Sequence, residues 1–370
     1  MRLLKIAAVL FSLITVTSGW LAAETIQPPR FTGMPSCSST SCHGGASEEK
    51  NQCVIWSKLD FHSRSYATLT SARSERMAEV LKIEDATKSA QCTTCHAPFQ
   101  TVSEKLLAQG IKISQGVSCE SCHGAAEPWL LSHTRPDFNH FDRVASGMRD
   151  LKNLYVRANT CVACHQTLEP ELAAAGHPEL IFELDGQSVS QPKHWREKES
   201  YSGAQAWYIG QLVALREMSW QLAREENADK KLHDRWAGLL WLVRATGMDV
   251  PSGDTESERT HYTRVQKRAD DAARQAADAR WNADHARKQL RQLAETFPEF
   301  QNKEVPVAVH ARRAERLVLG LDRLAGHSGY NQKLDPEINQ LFALTQSLPD
   351  FNPARFSKEL EKLSRKLIAE

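Results

Sequence analysis

From residue 205 onward the chain places apolar side chains at helical intervals. Residues 205–225 carry Trp207, Leu212, Leu215 and Leu222, and residues 230–246 carry Leu232, Trp236, Leu239, Leu240 and Val243, all among polar neighbours. One-sided spacing of this kind predicts two helices whose apolar faces need burial. Residues 247–256, with Pro251, Ser252, Gly253 and Asp254, predict a loop. From Tyr262 a heptad-like series follows through Val265, Ala269, Ala272, Ala276, Ala279, Ala283, Ala286, Leu290, Leu293 and Phe297. Its alternating steps of three and four predict one long coiled-coil-like helix, and its small residues let a partner helix come close. Asp335-Pro336 and Asn352-Pro353 each pair a good N-cap with proline at the first helical position, and Phe356, Leu360, Leu363 and Leu367 form a last apolar stripe. This half predicts a helical bundle packed on the rest of the chain, and it holds no nucleophile arrangement, phosphate loop or paired carboxylates.

The first half is organised differently. Its opening residues are Met1, Arg2, Leu3, Leu4 and Lys5, then an apolar run from Ile6 to Val16, small residues and Ala22-Ala23. A basic start, a short apolar core and small residues predict a signal peptide over 1–23 and a periplasmic destination. An uncleaved N-terminal anchor is the alternative. The run is short for a spanning helix. Across 370 residues, 46 basic side chains face 45 acidic ones, a net charge of +1, so the basic excess that phosphate backbones demand is missing and nucleic acid is not an expected partner.

The nine cysteines change the picture most, because eight of them fall in pairs followed by histidine. Cys92-Thr93-Thr94-Cys95-His96, Cys119-Glu120-Ser121-Cys122-His123 and Cys161-Val162-Ala163-Cys164-His165 are CxxCH sites. Two thiols at that spacing reach the two vinyl groups of one porphyrin while the adjoining imidazole turns under the iron. Disulfides, a CxxC redox pair or zinc would leave the repeated histidine unexplained. Cys37-Ser38-Ser39-Thr40-Ser41-Cys42-His43 is a wider variant whose small, hydroxyl-rich insert can bulge outward. A disulfide using Cys37, Cys42 or Cys53 is its competing explanation, and Cys53 is otherwise a buried thiol. The expected cofactor is haem c, four copies, attached through Cys37, Cys42, Cys92, Cys95, Cys119, Cys122, Cys161 and Cys164, with His43, His96, His123 and His165 as proximal iron ligands.

What fills the other face of each iron decides between conduction and chemistry. The candidates before residue 200 are His62, His133, His140, His177 and His194. His62 sits on a stretch with helical apolar spacing that runs from Trp56 through Tyr66 to Leu69. His133 follows the aromatic, leucine-rich run Pro128–Leu131, while His140 fits a solvated loop better. His177, between Gly176 and Pro178, and His194, after Pro192, have rigid settings, and spacing does not choose between them. Histidines after residue 200 are expected at the surface.

The order of these features resembles the cytochrome c-554 type and its wider group of multihaem cytochromes. The first site followed by Trp56 and His62, the stretch Gly116-Val117-Ser118-Cys119-Glu120-Ser121-Cys122-His123-Gly124 with His133 after it, and the position of the fourth site carry the likeness over roughly 35–200. The resemblance implies a mainly α, loop-rich haem core with porphyrins stacked in near-contact pairs. It also implies three haems with two histidines each, through His62, His133 and one of His177 or His194, and an open face on the haem at His96. The wider first spacing, Cys53 and the long C-terminal region depart from the family. The expected division is a signal peptide (1–23), a tetrahaem cytochrome c domain (24–200) and a helical C-terminal domain (201–370). The expected function is electron transfer to redox partner proteins, with the C-terminal helices available for a homodimer or a membrane complex. The alternative is a reductase or oxidase of a small nitrogen or sulfur compound at the His96 haem.

Overall fold

In the computed structural model, residues 27–226, 228–249, 257–346 and 350–368 are described, so the expected signal peptide and most of the 247–256 loop lie outside the described residues. Among the described residues the chain is helical, with no β-strand beyond an isolated bridge between Phe31 and Leu107. No described helix is long and apolar enough to cross a membrane.

Up to residue 150 the helices are short, among them Gln52–Leu59, Ala72–Leu81, Ala90–His96, Cys119–His123 and His140–Ala145. This region buries few apolar side chains. Its one apolar cluster consists of Leu69, Ala78 and Ala86, with Ile83 and Cys92 packed against them. What ties it together is polar. The carboxylate of Glu120, 2% exposed, accepts from the backbone N–H groups of Thr32 (2.9 Å), Gly33 (2.6 Å) and Ala126 (2.7 Å), pinning the N-terminal segment to the third cysteine pair.

The larger core begins at Leu154 and runs to Leu367. Leu154, Ala158 and Val162 of the Leu154–His165 helix, with Phe182 and Leu184, belong to it, so the bundle's apolar interior reaches back across residue 200. The bundle comprises Gly203–Arg224, Lys230–Ala245, Glu258–Asp278, Ala283–Ala294, Val307–Ser328, Asn331–Leu344 and Pro353–Ile368. Ser202, Asp229, Ser257 and Asn282 cap four of these helices with side-chain oxygens. The predicted apolar faces of the first two are buried, Trp207, Leu212, Leu215, Leu239 and Val243 being at most 1% exposed.

Two predicted boundaries differ. The heptad series is not one helix. It breaks between Asp278 and Ala283, where Ala279 is extended and Asn282 starts a new helix by accepting from the His285 N–H at 3.0 Å. The buried Gln205 side chain donates to the carbonyls of Ala276 (2.7 Å) and Ala279 (2.9 Å), satisfying the end of the first segment, while Trp281 packs on Tyr208. Pro336 lies inside the Asn331–Leu344 helix instead of starting it. Gly329 in a left-handed conformation ends the preceding helix, and the next one starts at once from the Tyr330 carbonyl, which accepts from Lys333 and Leu334. Asn352 does cap the last helix, accepting from the Arg355 N–H at 3.0 Å.

Two stability predictions follow from these polar anchors. Glu120→Ala strands three backbone donors and lowers unfolding stability by about 3 kcal/mol; denaturant titration of the holoprotein measures it, and a change within about 0.5 kcal/mol contradicts the anchor. Gln205→Ala, which uncaps the helix break, costs about 2 kcal/mol, read as a lower thermal midpoint.

Candidate functional site: four opposed histidine pairs

Each CxxCH sequence ends a helix. Ala90–His96, Cys119–His123 and Leu154–His165 all stop at the histidine of their motif, so the two cysteines lie three residues apart on one face of the last turn with the imidazole beside them. The wider first site is a turn instead: Cys42 N–H donates to Ser39, and His43 N–H donates to Cys37. A side chain on Gly44 would lie 1.9 Å from the Ser38 carbonyl oxygen, so only glycine lets the turn close. None of the nine cysteines forms a disulfide. Cys53 is buried, and its thiol approaches that of Cys119, as does the thiol of Cys37. In the same way Cys95 approaches Cys164. First and third sites are therefore neighbours, as are second and fourth.

Opposite every motif histidine stands a histidine from elsewhere in the chain. Ring centroids are 6.1 Å apart for His43 and His133, 6.0 Å for His62 and His165, 6.4 Å for His96 and His177, and 6.5 Å for His123 and His194. Neither His177 nor His194 is surplus, since each faces its own motif histidine. His62 faces the fourth site, and His133 faces the first, so the partner is not the motif nearest in sequence. His140 faces no motif histidine and pairs through Nε2 with Asp150 at 3.2 Å. Of the later histidines, His310 is buried and not superficial, held by the Asn302 carbonyl at 3.0 Å.

A metal bonded to an imidazole nitrogen at about 2 Å on either side separates two ring centroids by about 6 Å. The four pairs have that spacing. Among the described residues none of the eight imidazoles uses Nε2 in a hydrogen bond, and no group of three or more His, Cys, Asp or Glu side chains could hold a metal ion on its own. A metal between two such imidazoles would need its remaining donors from outside the described side chains, and the four nitrogens of a porphyrin would suit. Zinc lacks its closed protein set here. The residues fit haem c, for which the cysteine pairs would be the attachment points.

The second nitrogen of most of these rings is tied down, which fixes the tautomer. His43 Nδ1 meets Gln52 Oε1 at 2.9 Å, and His96 Nδ1 meets Thr68 Oγ1 at 2.9 Å and the Ser65 carbonyl at 3.1 Å. His133, His177 and His194 use the carbonyls of Trp129 (3.1 Å), Pro178 (2.8 Å) and Pro192 (3.4 Å). His62 Nδ1 bonds the carboxylate of Asp60 at 2.9 Å. Asp60 is 2% exposed and also accepts from the His62 N–H (3.0 Å) and from Gln191 Nε2 (3.0 Å). Burial raises its pKa, but the hydrogen bonds from the His62 side chain and backbone and from Gln191 outweigh this and hold it at about 2. Burial pushes His123 down to about 4, helped by His194 and His43, and it likewise lowers His96, His165 and His194, which keeps these rings neutral for metal binding. Burial also pushes the Cys161 thiol up to about 12.

The partner histidines are positioned from outside the motifs. Past His177, Glu179 is bound by Arg235 (2.8 Å) and Arg312 (3.1 Å), and the Phe182 carbonyl accepts from Arg316 at 3.0 Å. These arginines belong to the bundle, and burial lowers the Arg316 guanidinium to about 10. Past His194, Glu197 forms a bidentate pair with Arg157 at 2.8 and 3.0 Å and accepts from Trp195 Nε1 at 2.7 Å. Near His62, Gly116 has φ 66°, and an added Cβ would come within 2.9 Å of the His62 carbonyl oxygen, which accepts from Val117. Trp56 Nε1 donates to the Val117 carbonyl at 3.0 Å. The importance of Asp60, Gln52 and the arginine clamps was not visible in the sequence; the one available signal was Asp60 standing two residues before His62.

No curated protein and no solved structure matches the chain. Residues 36–124, which hold the first three cysteine pairs and His62, match the family described as Cytochrome c554 and c-prime, and this likeness supports a c-type cytochrome that carries covalently bound haem c and transfers electrons.

Proposed function

We propose that the chain is a tetrahaem electron carrier in which every iron has two histidine ligands: His43 with His133, His96 with His177, His123 with His194, and His165 with His62. The observation that carries this reading is the four-for-four opposition of motif and non-motif imidazoles at 6.0–6.5 Å. Haem supplies a one-electron ferric/ferrous couple, and the protein supplies attachment, axial ligation and burial. Neighbouring thiols from the first and third sites, and from the second and fourth, favour porphyrins set close in two pairs, as conduction needs.

The other reading, a reductase or oxidase with an open iron at His96, has His177 standing against it at 6.4 Å. The bundle's part in the carrier reading is to hold the strap that presents His177, through Arg235, Arg312 and Arg316, while Arg157 of the Leu154–His165 helix clamps the strap that presents His194. The charged and apolar N-terminal sequence supports export to the periplasm, and redox proteins are the partners that a conductor of electrons requires.

The test is the mass and spectrum of the protein expressed with a haem-attachment system. Four covalent haems are expected, all low-spin and indifferent to carbon monoxide. His177→Ala opens one of the four, giving a high-spin fraction that binds carbon monoxide, while Cys37→Ala with Cys42→Ala lowers the mass by one haem. A wild-type protein that already binds carbon monoxide stoichiometrically at one haem sinks the carrier reading in favour of the enzyme.

A further inference from the structure

The partners of the axial imidazoles differ in one respect that bears on energetics. Of the bonds made by Nδ1 atoms, those of His43, His96, His133, His177 and His194 go to neutral groups: a side-chain amide, a hydroxyl and backbone carbonyls. Among the described residues, His62 is the one of the eight that bonds a carboxylate, Asp60 Oδ1, at 2.9 Å. That carboxylate is buried, and its other oxygen, Oδ2, accepts from Gln191 at 3.0 Å, so its orientation is fixed on both sides. The Ser63 hydroxyl and N–H hold the Asp60 carbonyl, locking the short turn that carries acceptor and imidazole together.

We propose that Asp60 makes the haem ligated by His62 and His165 the lowest-potential centre of the four, and so sets the direction of the downhill electron path through the protein. The inference rests on the ligand pairs assigned above. An anion on the ligand's N–H makes the imidazole a stronger donor and favours the oxidised centre, which bears one more positive charge than the reduced one. The neutral partners of those five rings give no comparable bias. Through Gln191 the same carboxylate is also tied to the strap leading to His194. Asp60 is a positioning and tuning residue, since it acts through His62.

The experiment is a spectroelectrochemical titration of the holoprotein, resolving four one-electron midpoints. His62→Met identifies the centre concerned, because a thioether ligand raises the potential of the haem it serves. That centre is expected to be the lowest in the wild type. In Asp60→Asn, which keeps an acceptor oxygen and loses the charge, its reduction equilibrium constant rises at least tenfold, about 59 mV for one electron. The other three shift by less than about threefold, or about 28 mV at the same scale, and Asp60→Glu moves the centre back towards the wild-type value. The reciprocal variant Gln52→Glu places a carboxylate on His43 Nδ1 and is expected to lower a second potential, which keeps the idea open to refutation if Asp60 variants fail to fold. Unchanged midpoints in Asp60→Asn with four low-spin haems retained, or in a folded Gln52→Glu, overturn the tuning role and leave the ligand assignment intact. If His62→Met alters no haem's spectrum or potential, it is the ligand assignment that fails.

Discussion

The constraint on which the rest of this protein depends is the holding of eight imidazoles in four opposed pairs about 6 Å apart. Two rings held at about 6 Å with both Nε2 atoms free would lose contact and hydration for nothing, unless something between them returns the cost. The chain commits considerable structure to that arrangement. The Nδ1 anchors fix the tautomer, burial lowers the proton affinity of His96, His123, His165 and His194, and ionic clamps hold the straps after His177 and His194. No one of these devices suffices alone. An imidazole with a free Nδ1 can turn its wrong nitrogen to the metal, and one on a loose strap can leave altogether.

Sequence reading singles out the cysteine–histidine motifs because they are local: a thiol, two residues, a thiol and an imidazole fit within one helical turn. The histidines opposite them are not local. His62 lies nineteen residues past the first motif histidine yet faces the last one, and His133 lies ten residues past the third yet faces the first. Such crossings depend on how the loops fold over one another, which hydrophobic spacing does not record. The choice between His177 and His194 was open for the same reason, and it dissolved because each has its own partner. The family match ends at residue 124, so it includes His96 but does not reach His177, the histidine that faces it.

In the bundle, the periodicity located the helices and their buried faces but overran a break. Alanine at positions 276, 279 and 283 continues the heptad without interruption, and alanine is as content in a helix as anywhere. The interruption comes from Asn282 as a cap and from Gln205, a side chain on another helix that binds the freed carbonyls. Pro336 misled in the opposite sense. A proline early in a helix marks a start only if nothing upstream has already nucleated the turn, and Gly329 with Tyr330 does so here.

The division of apolar packing has its own consequence. Residues 27–150 enclose one small cluster around Leu69, whereas the interior beginning at Leu154 is continuous and extensive. A region with so little internal hydrophobic packing gains most from any group that binds its folded form alone, so haem held at the cysteine pairs would stabilise it by linkage. The helical half can then serve as the ready-made abutment against which that region is held.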